Sequence, residues 1–318
     1  MSNHGFECID VGSENCPCYL ALSGDCLVCS RLRGKDECDC NWKGVCVYNE
    51  FIQGNKRVNN PRKDFTADIV YKKKYLDDLF VFGLKVGKGF AIKAERPGAY
   101  VFLRESGSGP YFDTPLCVMN SDVEAGVIAI AVKVISAKTK TLALAEDNLI
   151  IRGIYRNGIL GAGFITSKTI KGKKVLIITK GIGIAPAILT ANYLCCGNTV
   201  DMIIDKEKIS EDIIGDYLEE GDGTIRFMSL NEEACSLEME DILIRQKYDM
   251  VFLFTSDFFI EQAGGMVKRL LPNAGLAVSN NFHVCCGEGI CGSCTVNDGG
   301  GGTLRMCKCN RLPEIKNI

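Results

Sequence analysis

The chain has 318 residues, a length that supports two or three domains at roughly 100–200 residues each. Its 37 basic and 39 acidic side chains leave a net charge of −2, which excludes a nucleic-acid binder that depends on a basic footprint. No apolar run approaches the roughly 18–20 residues that cross a bilayer, and Met1–Asp10 lacks the basic-then-apolar order of a secretory signal, so no membrane partner and a cytoplasmic location are expected. The unusual feature is cysteine, 18 residues in all, with eight in the first 46 positions and six between Cys285 and Cys309. In a reducing compartment, two such clusters at the ends of a cysteine-poor body point to metal or redox chemistry rather than disulfides.

Residues 1–58 read as a Cys-rich metal-binding head. Cys16-Pro-Cys18, Cys26-Leu-Val-Cys29 and Cys38-Asp-Cys40, with Cys46, form chelating pairs for a soft metal. The apolar content is too thin for an independent core, so metal would have to supply folding energy. Zinc and a 4Fe–4S cluster both fit, because no spacing here repeats the bacterial ferredoxin run; counted with Cys8, eight thiols suffice for two such sites. Trp42 and Tyr48 are expected to pack beside the metal, and Asn59-Asn60-Pro61 reads as a linker.

Short alternating runs follow at Leu79–Val86, Gly89–Ala94, Tyr100–Leu103, Gly126–Ile135 and Leu149–Ile151, punctuated by Gly, Pro, Asn and Asp. They predict an antiparallel β-barrel over 62–170. At Lys173 the rhythm changes. Continuous apolar strands at Val175–Thr179, Val200–Ile204 and Met250–Phe254, with Thr224–Met228 and Leu276–Ser279, alternate with helical stretches at Pro186–Leu194, Glu211–Glu220, Glu233–Gln246 and Phe258–Leu271. That alternation predicts an α/β parallel-sheet nucleotide-binding domain over 171–280. Gly181-Ile182-Gly183 between the first strand and its helix would turn backbone N–H groups toward a phosphate or nicotinamide. Asp205, ending the second strand, suits a ribose 2′-hydroxyl and hence NAD, while Lys206 and Lys208 beside it would suit a 2′-phosphate and hence NADP.

Residues 281–318 form a second cysteine module. Cys286-Gly-Glu-Gly-Ile-Cys291-Gly-Ser-Cys294, then Cys307, is C-x4-C-x2-C with a distant fourth cysteine, the plant-type ferredoxin spacing for a 2Fe–2S cluster. Gly287, Gly289 and Gly292 stand where a tight loop must bring amides to the sulfurs. A four-cysteine zinc site would instead show paired knuckles. Cys309 shares the distance with Cys307, which is preferred because it follows the apolar Leu304–Met306, and Cys285 reads as a packed thiol.

This order of barrel, α/β domain and C-x4-C-x2-C…C resembles the electron-transfer subunit of bacterial dihydroorotate dehydrogenase, in the ferredoxin–NADP reductase superfamily. The Cys285–Cys294 segment and the cysteine-rich head are similar to clostridial-type sulfide/dihydroorotate dehydrogenase-like FAD/NAD-binding proteins. The resemblance spans about Lys63 to Ile318, with a flavin-type barrel. It implies that Pro97–Leu103, with Tyr100, precedes an FAD motif read here as Thr114-Pro115-Leu116-Cys117. Thr114 replaces the expected Arg and Cys117 the expected Ser. Lys138-Thr139 stands for a Gly-Thr pair, and the stretch from Arg152 and Gly153 through Asn157 and Gly158 for the turn that closes the FAD site; Arg152 or Arg156 would restore the lost charge. Lys180 takes the place of a loop glycine, and Thr255-Ser256-Asp257 replaces a cysteine-bearing turn near the nicotinamide.

The resulting expectation is an iron–sulfur flavoprotein electron-transfer subunit working with NAD(P)H, FAD, a 2Fe–2S cluster and a partner oxidoreductase subunit or ferredoxin. The catalytic residues stay unassigned, since His4 and His283 are the only histidines. The alternative is a binding scaffold that keeps fold and cluster but has lost flavin or nucleotide turnover.

Overall fold

The computed structural model describes residues 8–59, 62–165, 170–207, 209–230, 233–297 and 302–312. Chain contacts divide it into two compact units, Met1–Asp64 with Phe282–Arg311, and Phe65–Asn281 with Leu312–Ile318. The cysteine-rich head and the C-terminal cysteine module, far apart in sequence, therefore share one unit. Asn60, Pro61 and Lys208 lie outside the described residues.

The head contains two short helices, α1 (Tyr19–Ser23) and α2 (Val47–Gln53). Its core is small: Ala21, Leu32, Val47 and Phe51 with three cysteines, Cys16, Cys26 and Cys29, flanked by Trp42 and Tyr48. Cysteine thus fills space that leucine or valine fills in larger domains.

In the second unit, β1 (Phe65–Leu76), β2 (Leu79–Lys85), β3 (Tyr100–Glu105), β4 (Thr114–Asp122), β5 (Val127–Lys133) and β6 (Asn148–Tyr155) close into a barrel of order β1-β2-β5-β4-β3-β6. Every pairing in it is antiparallel. Two helices decorate it, α3 (Lys88–Ala94) and α4 (Ala137–Leu144). The expected strand Gly89–Ala94 is the helix α3. A short apolar run cannot distinguish the two periods, and here Ala91 and Ala94 form a buried face while Ile92 is exposed. The long β1 escaped the sequence reading because Lys72-Lys73-Lys74 interrupts its apolar pattern.

The chain then adds β7 (Ile159–Leu160), β8 (Lys174–Thr179), α5 (Ile184–Leu194), β9 (Thr199–Asp205), α6 (Glu211–Tyr217), β10 (Ile225–Met228), α7 (Glu233–Gln246), β11 (Met250–Phe254), α8 (Asp257–Leu270) and β12 (Gly275–Ser279). The sheet order is β10-β9-β8-β11-β12-β7. Its first five strands are parallel, and β7, arriving from the barrel, pairs antiparallel with β12 through Val278 and Leu160. The sheet is therefore mixed. Strands β8 and β11 are buried along almost their whole length, as expected where helices cover both faces. One hairpin, β13 (Thr295–Asn297) with β14 (Thr303–Arg305), belongs to the cysteine unit.

Candidate functional site

The chain leaves β8 toward β9 and β10 on one side, and returns to β11 and β12 on the other. The crevice at the carboxyl ends of β8 and β11 is thus the topological switch point where ligands of open α/β sheets bind. Gly181–Gly183 forms a helical turn there, directly before α5. Gly181 holds φ +58°, and an added Cβ on Gly183 would stand 2.0 Å from the Phe254 carbonyl oxygen. Gly183 is required for the loop to lie on β11, while Gly181 faces open space. Thr255–Asp257 sits at the other lip, where the Asn281 side-chain amide donates to the Thr255 carbonyl (2.8 Å) and to Asp257 (2.9 Å). Asp205 is fully buried: it accepts from the Glu207 amide (2.9 Å) and pairs with Lys180 at 3.2 Å. Lys180 therefore ties the loop to the second strand.

A second constellation lies on the barrel. Thr114 faces Leu103 across β3–β4, and Arg152 faces Phe102 across β3–β6. The Thr114 hydroxyl donates to the Phe112 carbonyl (3.0 Å). The neighbouring Asp113, buried, accepts from Arg104 (2.7 Å) and Arg152 (2.6 Å), and its carbonyl accepts from Lys138 (3.3 Å). Three cations against one carboxylate leave these four groups at a net charge of +2. Arg152 also covers the Phe102 ring at 4.8 Å and donates to the Tyr155 hydroxyl (2.9 Å). Tyr100 and Tyr155 stack at 5.0 Å. Arg152 from β6 and Arg104 from β3 thus place positive charge one residue from position 114. Thr139 is placed differently from Lys138: its hydroxyl accepts from the amides of Ile135 and Ser136, closing a capping box on α4.

Pro115, Leu116 and Cys117 continue along β4, and Cys117 pairs with Tyr100. Burial pushes the Cys117 thiol up to about 11, so it is a neutral packed group. Gly153 lies against Val101, and the Gly158 amide donates to the Gly98 carbonyl (2.9 Å). The Asn280 side chain in turn donates to the Asn157 carbonyl (2.7 Å), fixing this turn beside β12. A cationic corner, an aromatic stack and a glycine-turned crevice within one unit suit a dinucleotide flavin and a nicotinamide nucleotide.

In the cysteine unit, Gly287, Gly289 and Gly292 all adopt the left-handed conformation, φ 72°, 79° and 73°. A non-glycine residue is strained there, so the loop geometry selects glycine. The Cys307 thiol hydrogen-bonds both Cys286 and Cys294, and Cys286 also meets Cys291. Hydrogen bonding from Cys307 pulls Cys286 down to about 4 and Cys294 down to about 6, while Cys307, sharing its proton, is driven up. Burial raises Cys291. The amides of Glu288 and Cys307 donate to the Cys286 and Cys294 sulfurs, both at 3.3 Å. Cys309 pairs through its backbone with Cys8, and its sulfur accepts from the Arg311 amide (3.4 Å). Cys285 is exposed, within 3.2 Å of Ser293.

Beneath this loop lies an ion cluster that sequence reasoning missed. Lys308, between two cysteines, reaches Asp10 (2.8 Å) and Glu288 (2.9 Å), and Arg62 reaches the same two carboxylates at 2.8 and 3.4 Å. All four side chains are buried. Burial works to raise the Asp10 pKa, yet Lys308 and Arg62 hold it below the usual carboxylate range; burial likewise works to lower that of Lys308, yet Asp10 and Glu288 raise it. The only sequence signal was a lysine held between two cysteines, Cys307 and Cys309. In the head, Cys16, Cys18 and Cys26 border one cavity, and Cys29, Cys38, Cys40 and Cys46 another. Among the described residues, no three Cys, His, Asp or Glu side chains converge to hold a single metal ion.

Barrel, sheet and crevice together define the ferredoxin–NADP reductase type of architecture. It is shared with a chain of the NADH-dependent reduced ferredoxin–NADP oxidoreductase (TM-score 0.58, 20% identity, 76% of this chain and 85% of that one) and with phthalate dioxygenase reductase (TM-score 0.52, 12% identity, 79% and 96%). In sequence, the chain is related to the electron transfer subunit of dihydroorotate dehydrogenase B (NAD(+)) from Clostridium acetobutylicum, 28% identical over 253 residues, covering 78% of this chain and 94% of that one. An uncharacterized protein from the adh 3′ region of Clostridium beijerinckii is 22% identical over 249 residues, 73% and 80% of the two chains. No family model matches. Among the described residues no helix is long and apolar enough to cross a membrane.

Proposed function

We propose that the chain is an iron–sulfur flavoprotein electron-transfer subunit, passing electrons between NAD(P)H, FAD, a 2Fe–2S cluster and a partner oxidoreductase subunit or ferredoxin. The contact among Cys286, Cys291, Cys294 and Cys307 on a glycine-turned loop carries the reading. It is supported by the likeness to phthalate dioxygenase reductase, a modular carrier of electrons from pyridine nucleotides to [2Fe–2S], and by relatives that are electron-transfer subunits of a dehydrogenase.

In this reading Arg152, Arg104 and Lys138 attract the FAD diphosphate, while Tyr100 and the Thr114–Cys117 strand wall its site. Gly181 and the start of α5 receive the nucleotide, with Asp205 and Lys180 as a prepaired acceptor and donor for its ribose end. Bound flavin supplies the coupling between a two-electron hydride and a one-electron cluster. The head adds a further thiophilic centre, zinc or 4Fe–4S. The Lys180–Asp205 pair also favours a second reading, a scaffold without nucleotide turnover, because it occupies the carboxylate a ribose would use. A visible spectrum of anaerobically purified protein decides: flavin absorbance bleached by NADH or NADPH is expected. Cluster absorbance with no flavin retained after FAD reconstitution and gel filtration would refute the flavoenzyme and leave the scaffold.

A further inference from the structure

One residue spans the topological switch point. The Lys180 amide donates to the Phe254 carbonyl of β11 (3.1 Å), while its ammonium pairs with Asp205 at the end of β9 (3.2 Å). Its backbone is extended, with φ −140°, and Gly181 then turns the chain at φ +58° toward α5. A glycine at position 180 would leave Asp205 without this cation.

The pair has an inside and an outside. The Asp205 side chain is completely buried, and its other oxygen accepts from the Glu207 amide (2.9 Å), whereas the Lys180 side chain keeps 20% of its surface exposed. A molecule entering the crevice therefore meets the ammonium, with the carboxylate behind it. In nucleotide-binding α/β domains a carboxylate at this strand end accepts from the ribose 2′-hydroxyl and so favours NAD. Rejecting a 2′-phosphate requires that carboxylate to present an uncompensated negative charge. Here the charge is both compensated and buried. The residues that follow do not restore it: Lys206 and Glu207 are exposed, and Glu207 accepts from the Ser229 hydroxyl (2.9 Å) beyond β10. Lys180, Asp205, Lys206 and Glu207 together carry no net charge, and a glycine at position 180 would leave them at −1.

We infer that the nucleotide site takes NADPH as well as NADH, and that Lys180 sets this tolerance by screening Asp205 and offering its ammonium to a 2′-phosphate. An ammonium carries three donors, so one lysine can hold Asp205 and receive a phosphate oxygen together. Lys180 is thus a specificity-determining residue, and the loop position that reads as a lost glycine in the sequence has a positive use. The inference rests on the reading of the crevice as a nucleotide site and narrows it to the class of nucleotide. It is independent of the flavin and 2Fe–2S assignments.

The test is equilibrium binding, which needs no turnover. NAD+ and NADP+ are titrated by calorimetry into the full chain purified anaerobically. NADP+ should bind no more than about tenfold weaker than NAD+. Lys180→Met keeps the alkyl stem and removes the charge; it should lower the ratio of NADP+ to NAD+ affinity about tenfold or more, the loss of one charge-assisted contact, and Lys180→Arg should retain the ratio. A weaker NADP+ affinity than that range in the unmodified protein, or a Lys180→Met variant that loses both nucleotides in equal proportion, overturns the inference and keeps the nucleotide site. If neither nucleotide binds the unmodified protein, the nucleotide reading itself falls and takes the inference with it. Should Lys180→Met fail to fold, Asp205→Asn replaces it, because it keeps the shape of the side chain and its bond from the Glu207 amide while releasing the ammonium. The ratio should then rise, and an unchanged or lowered ratio overturns the inference.

Discussion

Removing the Lys308 ammonium by Lys308→Met perturbs a closed charge balance. Asp10 and Glu288 carry −2, Arg62 and Lys308 carry +2, and all four are buried. The variant leaves two buried carboxylates facing a single guanidinium, an uncompensated charge of −1. Breaking a buried pair from one side costs about 3–5 kcal/mol, because the remaining charge keeps its desolvation penalty. At a urea slope near 2 kcal/mol/M, the unfolding midpoint should fall by about 1.5–2.5 M. Trp42 is the chain's single tryptophan and lies in this unit, so its fluorescence reports the relevant transition. The double variant Lys308→Met/Glu288→Gln restores neutrality and should recover a large part of the loss. The pH profile follows from the same pairs. The folded Asp10 pKa is depressed, so its contribution is full above the unfolded value of about 3.9 and is lost as pH falls through the lower folded value. The Lys308 pKa is raised, so its contribution is full below about 10.4 and is lost only as pH rises through the higher folded value. Between these limits the contribution should be flat. A Lys308→Met midpoint equal to that of the unmodified protein, or a double variant weakened by the sum of its two single changes, would refute the reasoning.

Three further outcomes are expected. Cys291→Ser should abolish the 2Fe–2S EPR signal of the reduced protein while far-UV circular dichroism stays native, since the cores of barrel and sheet contain no residue of the cysteine unit; an unchanged signal contradicts the ligand set. Arg152→Ala should weaken FAD binding about 10–150-fold, the equivalent of one lost charge-assisted bond of about 1.5–3 kcal/mol, read by flavin fluorescence titration; unchanged affinity would move the diphosphate elsewhere. Gly183→Ala forces a Cβ to within 2.0 Å of the Phe254 carbonyl, and should destabilise the second unit by about 1–3 kcal/mol in thermal unfolding while leaving the Trp42 transition in place.

The sheet was legible because its strands are buried on both faces, and Val175–Thr179 and Met250–Phe254 therefore stand out as unbroken apolar runs. The barrel was legible as a class but less so in detail. Its strands face solvent on one side, which let lysines mask β1 and let α3 pass for a strand. The C-terminal cysteine spacing could be read because three thiols and the glycines of one loop are consecutive in sequence. Which cysteines of the head border which cavity could not, since that depends on chain packing, and spacing records only neighbours along the chain.

The same limit explains the barrel motif. Read along β4, Thr114 is a lost arginine, and a linear motif counts it as a weakened flavin site. In three dimensions β4 has β3 as its neighbour, β3 has β6 on its other side, and the guanidiniums of Arg104 and Arg152 arrive from these two strands at Asp113, one residue before the substitution. Asp113 then has a definite task. It holds two arginines and, through its carbonyl, Lys138 in fixed positions, so the entropy of ordering these long side chains is spent on folding rather than on binding. Its own charge offsets one of the three, and the +2 that remains matches the charge of a diphosphate. In the proposed flavin site, a motif residue could therefore change identity where the closed order of the barrel brings an equivalent charge from an adjacent strand.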